Sequence, residues 1–247
     1  MPNAHIVRAV CRTLHEIAPP GAGVLDLSCG EGDILASLDA DGFQVDGTHF
    51  RDDDYILRSP NPVLQRVNIH TGVDLTRPLP LPDAGWDVVL ATEVIEHLPE
   101  HPRFLQEVSR VLRPGGCFLF TTPNAHRLSA RVHFLLTGTQ SLHGARPGWH
   151  VPAEGLYATH HHPVDLSIFQ AQLYQAGFSG LRMGMTQWSH GSLAWAWATP
   201  LFWAGTWIGT RRQRREHPEG GRDLCRCLCA PGTLFSDQLL GVVWKRG

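Results

Sequence analysis

The stretch GVLDLSCGEGDILASL, residues 23–38, decides the fold. Apolar residues run into Asp26, a glycine-rich turn follows, and apolar residues then recur at helical spacing from Asp33 onward. This pattern predicts a buried strand, a tight turn and a helix, in that order. A strand joined to a helix through a glycine turn begins a βαβ unit, which indicates a parallel sheet.

Both flanks of this stretch continue the pattern. Residues 4–17 predict an N-terminal helix capped by Asn3, and apolar runs alternate with helical segments as far as residue 122. The strands predicted are 42–48, VLQRVNI (63–69), WDVVLAT (86–92), CFLFTT (117–122, after an RPGG turn), 180–188 and 238–245, with helices from 92 to about 112, over roughly 125–136 and from 165 to 177. The chain is therefore predicted to be an α/β protein with a Rossmann-like, doubly wound sheet.

Composition restricts the possible partners. The 247 residues are 43% hydrophobic and 18% charged, which suits one large domain, and the net charge of -2 gives no general attraction for nucleic acid. The N-terminus lacks the basic start and long apolar core of a secretory signal, so a cytoplasmic location is expected. The cysteines are interpreted as small apolar residues of a protein in a reducing compartment. The run CRCLC (225–229) lacks the usual C-x2-C metal spacing.

The glycine turn indicates which kind of ligand binds there. Gly30 and Gly32 let the backbone pass close to a ligand at a helix N-terminus, but Leu35 stands where a dinucleotide fingerprint would need a third glycine. Asp26, four residues before Gly30, suits a ligand that carries an ammonium group. An ordinary strand-to-helix turn would show the same glycines.

Further motifs follow in order: DLTRPLPLPDAGWDVVLATEVIEHL (74–98), RVLRPGGCFLFTTPN (110–124) and QAGF (175–178). Together with the glycine turn they resemble the class I S-adenosylmethionine-dependent methyltransferases over nearly the whole chain. The resemblance implies one methyltransferase domain over 1–247 and a seven-stranded sheet whose last strand is antiparallel. It also implies S-adenosylmethionine as cofactor. The implied cofactor-binding residues are Asp26, Ser28, Gly30, Gly32, His49, Asp74, Leu75 and Thr92, with Gly30 and Gly32 along the methionine part and Asp74 with Leu75 beside the adenine.

One position departs from that family. Where its members carry an acidic residue for the two ribose hydroxyls, at the end of the second strand, this chain has His49. An imidazole cannot accept two hydroxyls as a carboxylate does, so Asp52 or Asp53 is an alternative ribose ligand. The substitution also suits a rival function, that of a methyltransferase-like binding or scaffold protein without catalysis.

Residues 93–97 read EVIEH, and the motif E-x-x-E-H resembles ubiquinone-biosynthesis O-methyltransferases and small-RNA 2'-O-methyltransferases. In a helix Glu93, Glu96 and His97 would share one face. By resemblance they bind a divalent metal together with His160, or alternatively with His161 or His162, and Mg, Mn and Zn all suit this ligand set. Two alternatives remain. His97, His160 or Glu93 acts in catalysis without a metal, or Glu96 and His97 merely begin a helix.

Residues 190–236 form an apolar insertion before the final strand, and residues 191–210 carry no charge. A helical stripe of Leu193, Trp197, Leu201, Ala204 and Ile208 precedes four arginines at 211, 212, 214 and 215. The insertion either packs on the domain and covers the substrate cleft, or makes peripheral membrane contact through 192–215. A membrane span is a third interpretation of the same stretch.

The function predicted from these features is methyl transfer from S-adenosylmethionine to a hydroxyl of a small, hydrophobic or lipid-linked acceptor. Residues 125–162, a loop and helix, are expected on the substrate side. Nitrogen or carbon acceptors remain alternatives, because the cofactor motifs do not encode the acceptor atom. An RNA acceptor is disfavoured by the acidic net charge. The sequence leaves the oligomeric state open.

Overall fold

The computed structural model describes residues 3–140 and 163–247, whose strands form one seven-stranded sheet in the order β3-β2-β1-β4-β5-β7-β6. The strand bounds are β1 Gly23–Asp26, β2 Gln44–Thr48, β3 Asn68–His70, β4 Trp86–Thr92, β5 Leu112–Pro123, β6 Phe178–Gly184 and β7 Gln238–Lys245. Strands β1 to β5 pair in parallel, and β7 lies antiparallel between β5 and β6. This is the Rossmann-like sheet with an antiparallel last strand that the sequence and its resemblance predicted.

Helices lie on both faces of the sheet. Their bounds are α1 Ala4–Ile17, α2 Asp33–Ala40, α3 Asp53–Arg58, α4 Val63–Arg66, α5 His101–Val111, α6 Leu128–Thr137, α7 Leu166–Gln175, α8 His190–Leu193, α9 Thr199–Gly209, α10 Arg211–Glu216, α11 Pro218–Cys229 and α12 Pro231–Phe235. The last five form a helical segment between β6 and β7. Two apolar clusters, one built around α1 and α2 and the other around α5 and α7, enclose the central strands, which explains why β1 and β4 are apolar on both sides.

The third strand is shorter than predicted. Residues 63–66 form the helical turn α4, and only Asn68–His70 pair with β2. Asn61 caps that turn, since its Oδ1 accepts from the Val63 backbone N–H at 3.2 Å, and Pro62 precedes the first helical residue. Val63 and Leu64 are buried. A short apolar run is ambiguous between helix and strand, and the cap together with the side-chain packing decided for the helix.

The prediction of a helix directly after β4 is also wrong for the first residues of that segment. A single 3-10 turn, Ile95–His97, follows the strand, and α5 begins only at His101. Pro99 is the physical reason, because the residue before a proline is driven out of the helical region, and Leu98 is extended at φ -86°, ψ 130°.

Other differences are confined to element ends. The RPGG segment is part of β5, with a register shift against Trp86 and Val88, rather than a separate turn. Strand β6 ends at Gly184, and Trp188 makes only an isolated bridge to Ser236. The N-terminal helix and its cap are as predicted, because Asn3 Oδ1 accepts from the backbone N–H groups of His5 and Ile6.

Candidate active site

The glycine loop connects β1 to α2 at the carboxyl end of the sheet, where open α/β sheets bind ligands. Ser28, Gly30 and Gly32 all have positive φ, at 66°, 56° and 80°. The loop is fixed by its neighbours, since the Cys29 N–H donates to the Thr48 carbonyl at 3.0 Å and the Ser28 N–H donates to Thr48 Oγ1 at 2.9 Å. The end of β2 therefore holds the loop in its left-handed conformation.

The two glycines serve different purposes. A Cβ at Gly30 would meet nothing within 4 Å, so this position borders open space. A Cβ at Gly32 would lie 2.8 Å from Leu64 Cδ2 and 3.0 Å from Val63 Cγ1, which places it against α4. Gly30 thus borders open space, while Gly32 permits the left-handed turn and the close packing of α4.

Asp26 is the last residue of β1 and is 1% exposed. Its Oδ1 has no hydrogen-bond partner among the described residues, and burial raises the pKa of its carboxyl to about 7. A buried carboxylate without a partner is costly, so such a group calls for a cation or donor. An ammonium-bearing ligand would supply one, and the methionine end of S-adenosylmethionine fits this requirement.

His49 lies where the ribose ligand was expected, and it is 9% exposed. Its Nδ1 accepts from the Arg51 backbone N–H at 2.9 Å, which leaves the ring proton on Nε2. Burial lowers the pKa of the imidazole, and this effect exceeds the opposing one of the hydrogen bond from the Arg51 N–H. A neutral ring with Nε2–H can donate one hydrogen bond. Of the two alternative ribose ligands, Asp52 and Asp53, the second already accepts a hydrogen bond from Thr71 Oγ1 at 2.5 Å.

Asp74 and Leu75 follow β3 beyond a short turn. The Asp74 carboxylate accepts from the backbone N–H and the hydroxyl of Thr76 at 2.9 and 2.7 Å, and these bonds lower its pKa. Asp74 therefore shapes its own loop with its side chain. Leu75 is partly buried against the apolar cluster around α5 and α7.

Two carboxylates follow β4 and face the end of β5. Glu93 has φ 53° and does not belong to a helix, and its Oε1 accepts from Thr121 Oγ1 at 3.0 Å. Glu96 is 1% exposed and its Oε2 accepts from Thr122 Oγ1 at 3.1 Å, while its Oε1 has no hydrogen-bond partner among the described residues. The backbone bend at Glu93, rather than a shared helical face, brings the pair together.

The protonation of this pair is set by burial. Desolvation raises the pKa of Glu93 to about 7, against a smaller lowering by Thr121. Desolvation together with the charge of Glu93 raises the pKa of Glu96 to about 8. Thr92, the last residue of β4, is buried and pairs with Thr121 in the sheet. The site thus presents carboxyl groups that exchange protons near neutral pH.

The predicted metal ligands come together only in part. His97 Nε2 lies 3.9 Å from Glu96 Oε1, which is too far for a hydrogen bond, and His97 is about a third exposed. Within residues 3–140 and 163–247 no group of three His, Cys, Asp or Glu side chains is arranged to hold a metal ion. His160, the fourth predicted ligand and an alternative catalytic histidine, lies outside the described residues.

The TTPN segment (121–124) spans the end of β5. The structure separates its members, because Thr121 and Thr122 bind the two glutamates whereas Asn124 is fully buried. The Asn124 amide donates to the carbonyls of Thr233 and Ser236 at 2.9 and 2.8 Å. Asn124 therefore joins β5 to the segment before β7, a contact between positions too far apart in sequence to be seen there.

A polar cavity of about 340 Å³ behind α6 was also not predicted, and it is lined in part by His126, Arg131, Asp165 and Thr206. Arg131 donates to the carbonyls of His126 and Leu228 at 2.7 and 3.0 Å. Each of these residues comes from a different element, so only the fold assembles the cavity. The signal available in the sequence was Arg131, the one arginine or lysine of α6.

The apolar insertion does not bury its stripe. Leu201 and Ile208 are 72% and 70% exposed, and no residue of α9 is buried. In the parts of the chain that the structure describes, none of the helices is long and apolar enough to cross a bilayer.

Known proteins share this sequence and fold. A family described as methyltransferase domain matches residues 3–182. A probable S-adenosylmethionine-dependent methyltransferase of Mycolicibacterium smegmatis is 41% identical over 116 residues, covering 46% of this chain and 42% of that protein. The ubiquinone biosynthesis O-methyltransferase of Vibrio cholerae is 29% identical over 129 residues, covering 49% of each chain. These alignments span about half or less of the curated relatives.

The crystal structure of an S-adenosylmethionine-dependent methyltransferase from Mesorhizobium loti superposes with a TM-score of 0.53 at 18% identity, covering 96% of this chain and 98% of that one. That likeness is one of fold. The family match covers well over half of the chain and includes the glycine loop, Asp26 and the paired glutamates. The chain belongs to the class I S-adenosylmethionine-dependent methyltransferases.

Proposed function

We propose that this protein transfers the methyl group of S-adenosylmethionine to a hydroxyl of a small, hydrophobic or lipid-linked acceptor, with Glu93 as the general base. The observation that carries the proposal is the pair formed by the half-buried Glu93 and the buried Glu96, which follow β4 and accept hydrogen bonds from Thr121 and Thr122 of β5. Their pKa values are raised to about 7 and about 8. A base whose pKa lies near the working pH is the most effective for taking a proton from a hydroxyl.

The cofactor residues support the donor. The buried Oδ1 of Asp26 has no hydrogen-bond partner among the described residues and is suited to bind the ammonium group. Gly30, four residues later in the glycine loop, borders open space. When bound, S-adenosylmethionine supplies an electrophilic methyl on sulfur, so that an O–C bond forms as the C–S bond breaks and the electron pair stays on the sulfur of S-adenosylhomocysteine. Thr92, the last residue of β4, pairs with Thr121 of β5. This pairing fixes the end of β4, after which both glutamates follow.

The protein's part in the reaction is to position the acceptor and remove its proton. Glu93 is less buried than Glu96 and takes the hydroxyl proton, while Thr121 holds its Oε1. Glu96 is protonated over much of the neutral range, because its pKa is the higher of the two, so it can donate a hydrogen bond. This division between an acid and a base gives the pair one net negative charge instead of two.

The hydrophobic character of the acceptor is inferred from the insertion, and the acceptor atom is inferred from one relative. The exposed apolar residues of α9 offer a surface that suits a hydrophobic molecule. The Vibrio cholerae relative is named as an O-methyltransferase of ubiquinone biosynthesis, which favours oxygen as the acceptor atom. Nitrogen and carbon acceptors are the alternatives, and the experiment below separates oxygen from nitrogen.

The test uses Glu93→Gln with Glu16→Gln as control, since Glu16 lies exposed on α1. Labelled methyl transfer is measured to a catechol with an alkyl chain and to an alkylamine with the same chain. We expect the catechol to be methylated, with kcat/KM rising with pH to a plateau above about 7, because the base must be deprotonated. Glu93→Gln should lower kcat by about 10²-fold or more and remove that rise. Methylation of the amine alone, or full activity of Glu93→Gln, would contradict the proposal.

A metal-assisted reaction is the second candidate from the motif Glu93, Glu96, His97 and His160. Because the described residues do not present three converging ligands, we derive no step through Mg, Mn or Zn. The same assay in the presence of EDTA separates the two. Unchanged turnover supports the base, and complete loss that Mn²⁺ or Mg²⁺ restores supports the metal.

A further inference from the structure

The helix α9 is unusual for a surface helix because apolar residues cover it without a polar outer face. Trp197, just before it, is 75% exposed, and Leu201 and Ile208 on one stripe of the helix are exposed to 72% and 70%. Water-facing helices normally show charged residues on their outer side. Contiguous exposed apolar surface of this kind marks an interaction site.

A second exposed apolar group lies on the neighbouring helix α6. Phe134, Leu135 and Leu136 are 53%, 81% and 76% exposed, and all lie within about a turn and a half of Arg131. Arg131 in turn lies against α9, with its guanidinium 3.4 Å from Thr206 Oγ1. The side chain of Arg131 therefore connects α6 with α9, and both helices present apolar side chains to the exterior.

Positive charge follows α9 directly. The helix α10 carries Arg211, Arg212, Arg214 and Arg215. Arg214 stacks on the Trp207 ring, with its guanidinium carbon 3.2 Å from the ring centroid, and Arg212 pairs with Glu216 at 2.8 Å. Among the described residues no acidic side chain pairs with Arg211 or Arg215. Tryptophan and arginine beside an apolar helix suit the interface of a bilayer, where rings lie at the headgroup level and guanidinium groups meet phosphates.

A groove opens between α9 and α11 on the same insertion. Its volume is about 650 Å³, and it is lined mainly by Trp203, Trp207, Cys225, Cys229 and Pro231. The Trp203 indole N–H donates to the Cys229 carbonyl at 3.3 Å, which fixes one wall. The groove is lined mainly by apolar side chains, and one of them, Trp207, is the ring on which Arg214 stacks.

We infer that the exposed residues of α6, α9 and α10 form a docking face for a bilayer that contains anionic phospholipid. Charge complementarity selects this occupant, because Arg211 and Arg215 have no acidic partner among the described residues and their helix follows a segment without charge from residue 191 to 210. A second copy of the chain, which carries the same arginine cluster, is the rival occupant. The inference rests on this face alone and not on the proposed methyl acceptor.

The experiment is co-sedimentation of the full chain with vesicles of phosphatidylcholine alone or with about 30 mol% phosphatidylglycerol. We expect binding to the anionic vesicles, weaker binding to neutral ones, and a decrease when NaCl is raised to about 0.5 M. Leu201→Glu/Ile208→Glu and Arg211→Gln/Arg215→Gln should each weaken binding about tenfold or more. No binding of the wild-type chain to anionic vesicles would overturn the inference.

The controls remove equivalent groups at the opposite edge of the sheet. Leu57→Glu, at a residue 68% exposed on α3, and Arg58→Gln/Arg66→Gln should bind vesicles as the wild type does. An equal loss of vesicle binding in these control variants would overturn the inference of a specific docking face. Size-exclusion chromatography tests whether a second copy of the chain occupies this face. A dimer that Leu201→Glu/Ile208→Glu dissociates, with no vesicle binding, would assign the face to self-association instead.

A second measurement avoids dependence on charge-altering variants. Tryptophan fluorescence of the wild-type chain should be quenched by vesicles whose acyl chains carry bromine, and Trp197→Phe/Trp203→Phe should show less quenching. Absence of quenching at saturating anionic vesicles would also overturn the inference. S-adenosylmethionine binding, followed by titration calorimetry, reports separately on the cofactor site, so failure of one proposal leaves the other measurable.

Discussion

Asp26 and Glu96 are the residues at which function opposes stability. Each is 1% exposed, and each has one carboxylate oxygen without a hydrogen-bond partner among the described residues. Burial raises the pKa of Asp26 to about 7 and, with help from Glu93, that of Glu96 to about 8. A protein that only needed to fold would have neutral side chains there. Ionisable groups kept at such a cost are typical of sites that bind or transfer charge.

A pH dependence of stability follows from these two carboxyl groups. Because their folded pKa values exceed the unfolded ones, their contribution to the free energy of unfolding is full below about pH 4. It is lost as pH rises through about 7 for Asp26 and about 8 for Glu96. Asp26→Asn and Glu96→Gln should therefore raise the free energy of unfolding at pH 8 by on the order of 2 kcal/mol, and by less at pH 5.

Urea unfolding of the cofactor-free protein at both pH values measures this effect. The exposed Asp54→Asn on α3 serves as control and should leave the pH dependence as it is. A stability that is lower at pH 8 in either buried variant than in the wild type would contradict the account.

At the scale of elements, the glycine loop shows how one motif serves two purposes. Its glycines were recognised from spacing, but their separate roles depend on α4, which the sequence pattern had predicted as strand. A Cβ at Gly32 would lie against Leu64 and Val63 of that helix, whereas a Cβ at Gly30 would have no neighbour within 4 Å. The difference between the two positions is therefore a matter of packing between elements.

Replacing each glycine by alanine separates folding from binding. Gly32→Ala should lower the free energy of unfolding by roughly 2 kcal/mol or more, since its φ of 80° is unfavourable for alanine and its Cβ would lie 2.8 Å from Leu64 Cδ2. Gly30→Ala carries only the cost of a positive φ in alanine, about 1 kcal/mol, and its methyl group would enter the space that we propose for the cofactor.

Chemical denaturation and titration calorimetry with S-adenosylmethionine distinguish the two variants. Gly30→Ala should retain most of its stability and lose at least about tenfold in cofactor affinity. A Gly30→Ala protein that binds the cofactor as tightly as the wild type would move the ligand away from this side of the loop.

The whole molecule connects cofactor binding to folding. A ligand that binds only the folded chain stabilises it by about 2.7 kcal/mol at a concentration of 100 Kd. For a chain of 247 residues this corresponds to a rise in Tm of roughly 5–10 °C. Asp26→Asn should show a much smaller rise at the same concentration, because the buried carboxylate no longer meets the ammonium group.

Differential scanning fluorimetry with S-adenosylmethionine measures the rise in Tm, and the exposed Asp54→Asn should respond as the wild type does. No rise at millimolar cofactor would favour the rival function of a scaffold protein, which His49 first suggested.

The amino-acid sequence determined the order of strands and helices, the glycine turn and the position of the acidic residues after β4, because hydrophobic periodicity, glycine and proline act through neighbouring residues. It misplaced α4 and the start of α5, where a cap at Asn61 and the constraint of Pro99 prevailed over periodicity. Only the tertiary structure decided that Glu93 meets Glu96 through a backbone bend, that Asn124 is a structural link and that the stripe of α9 faces outward. These depend on contacts between residues far apart in the chain, and burial, packing and pKa shifts arise only when the fold brings them together.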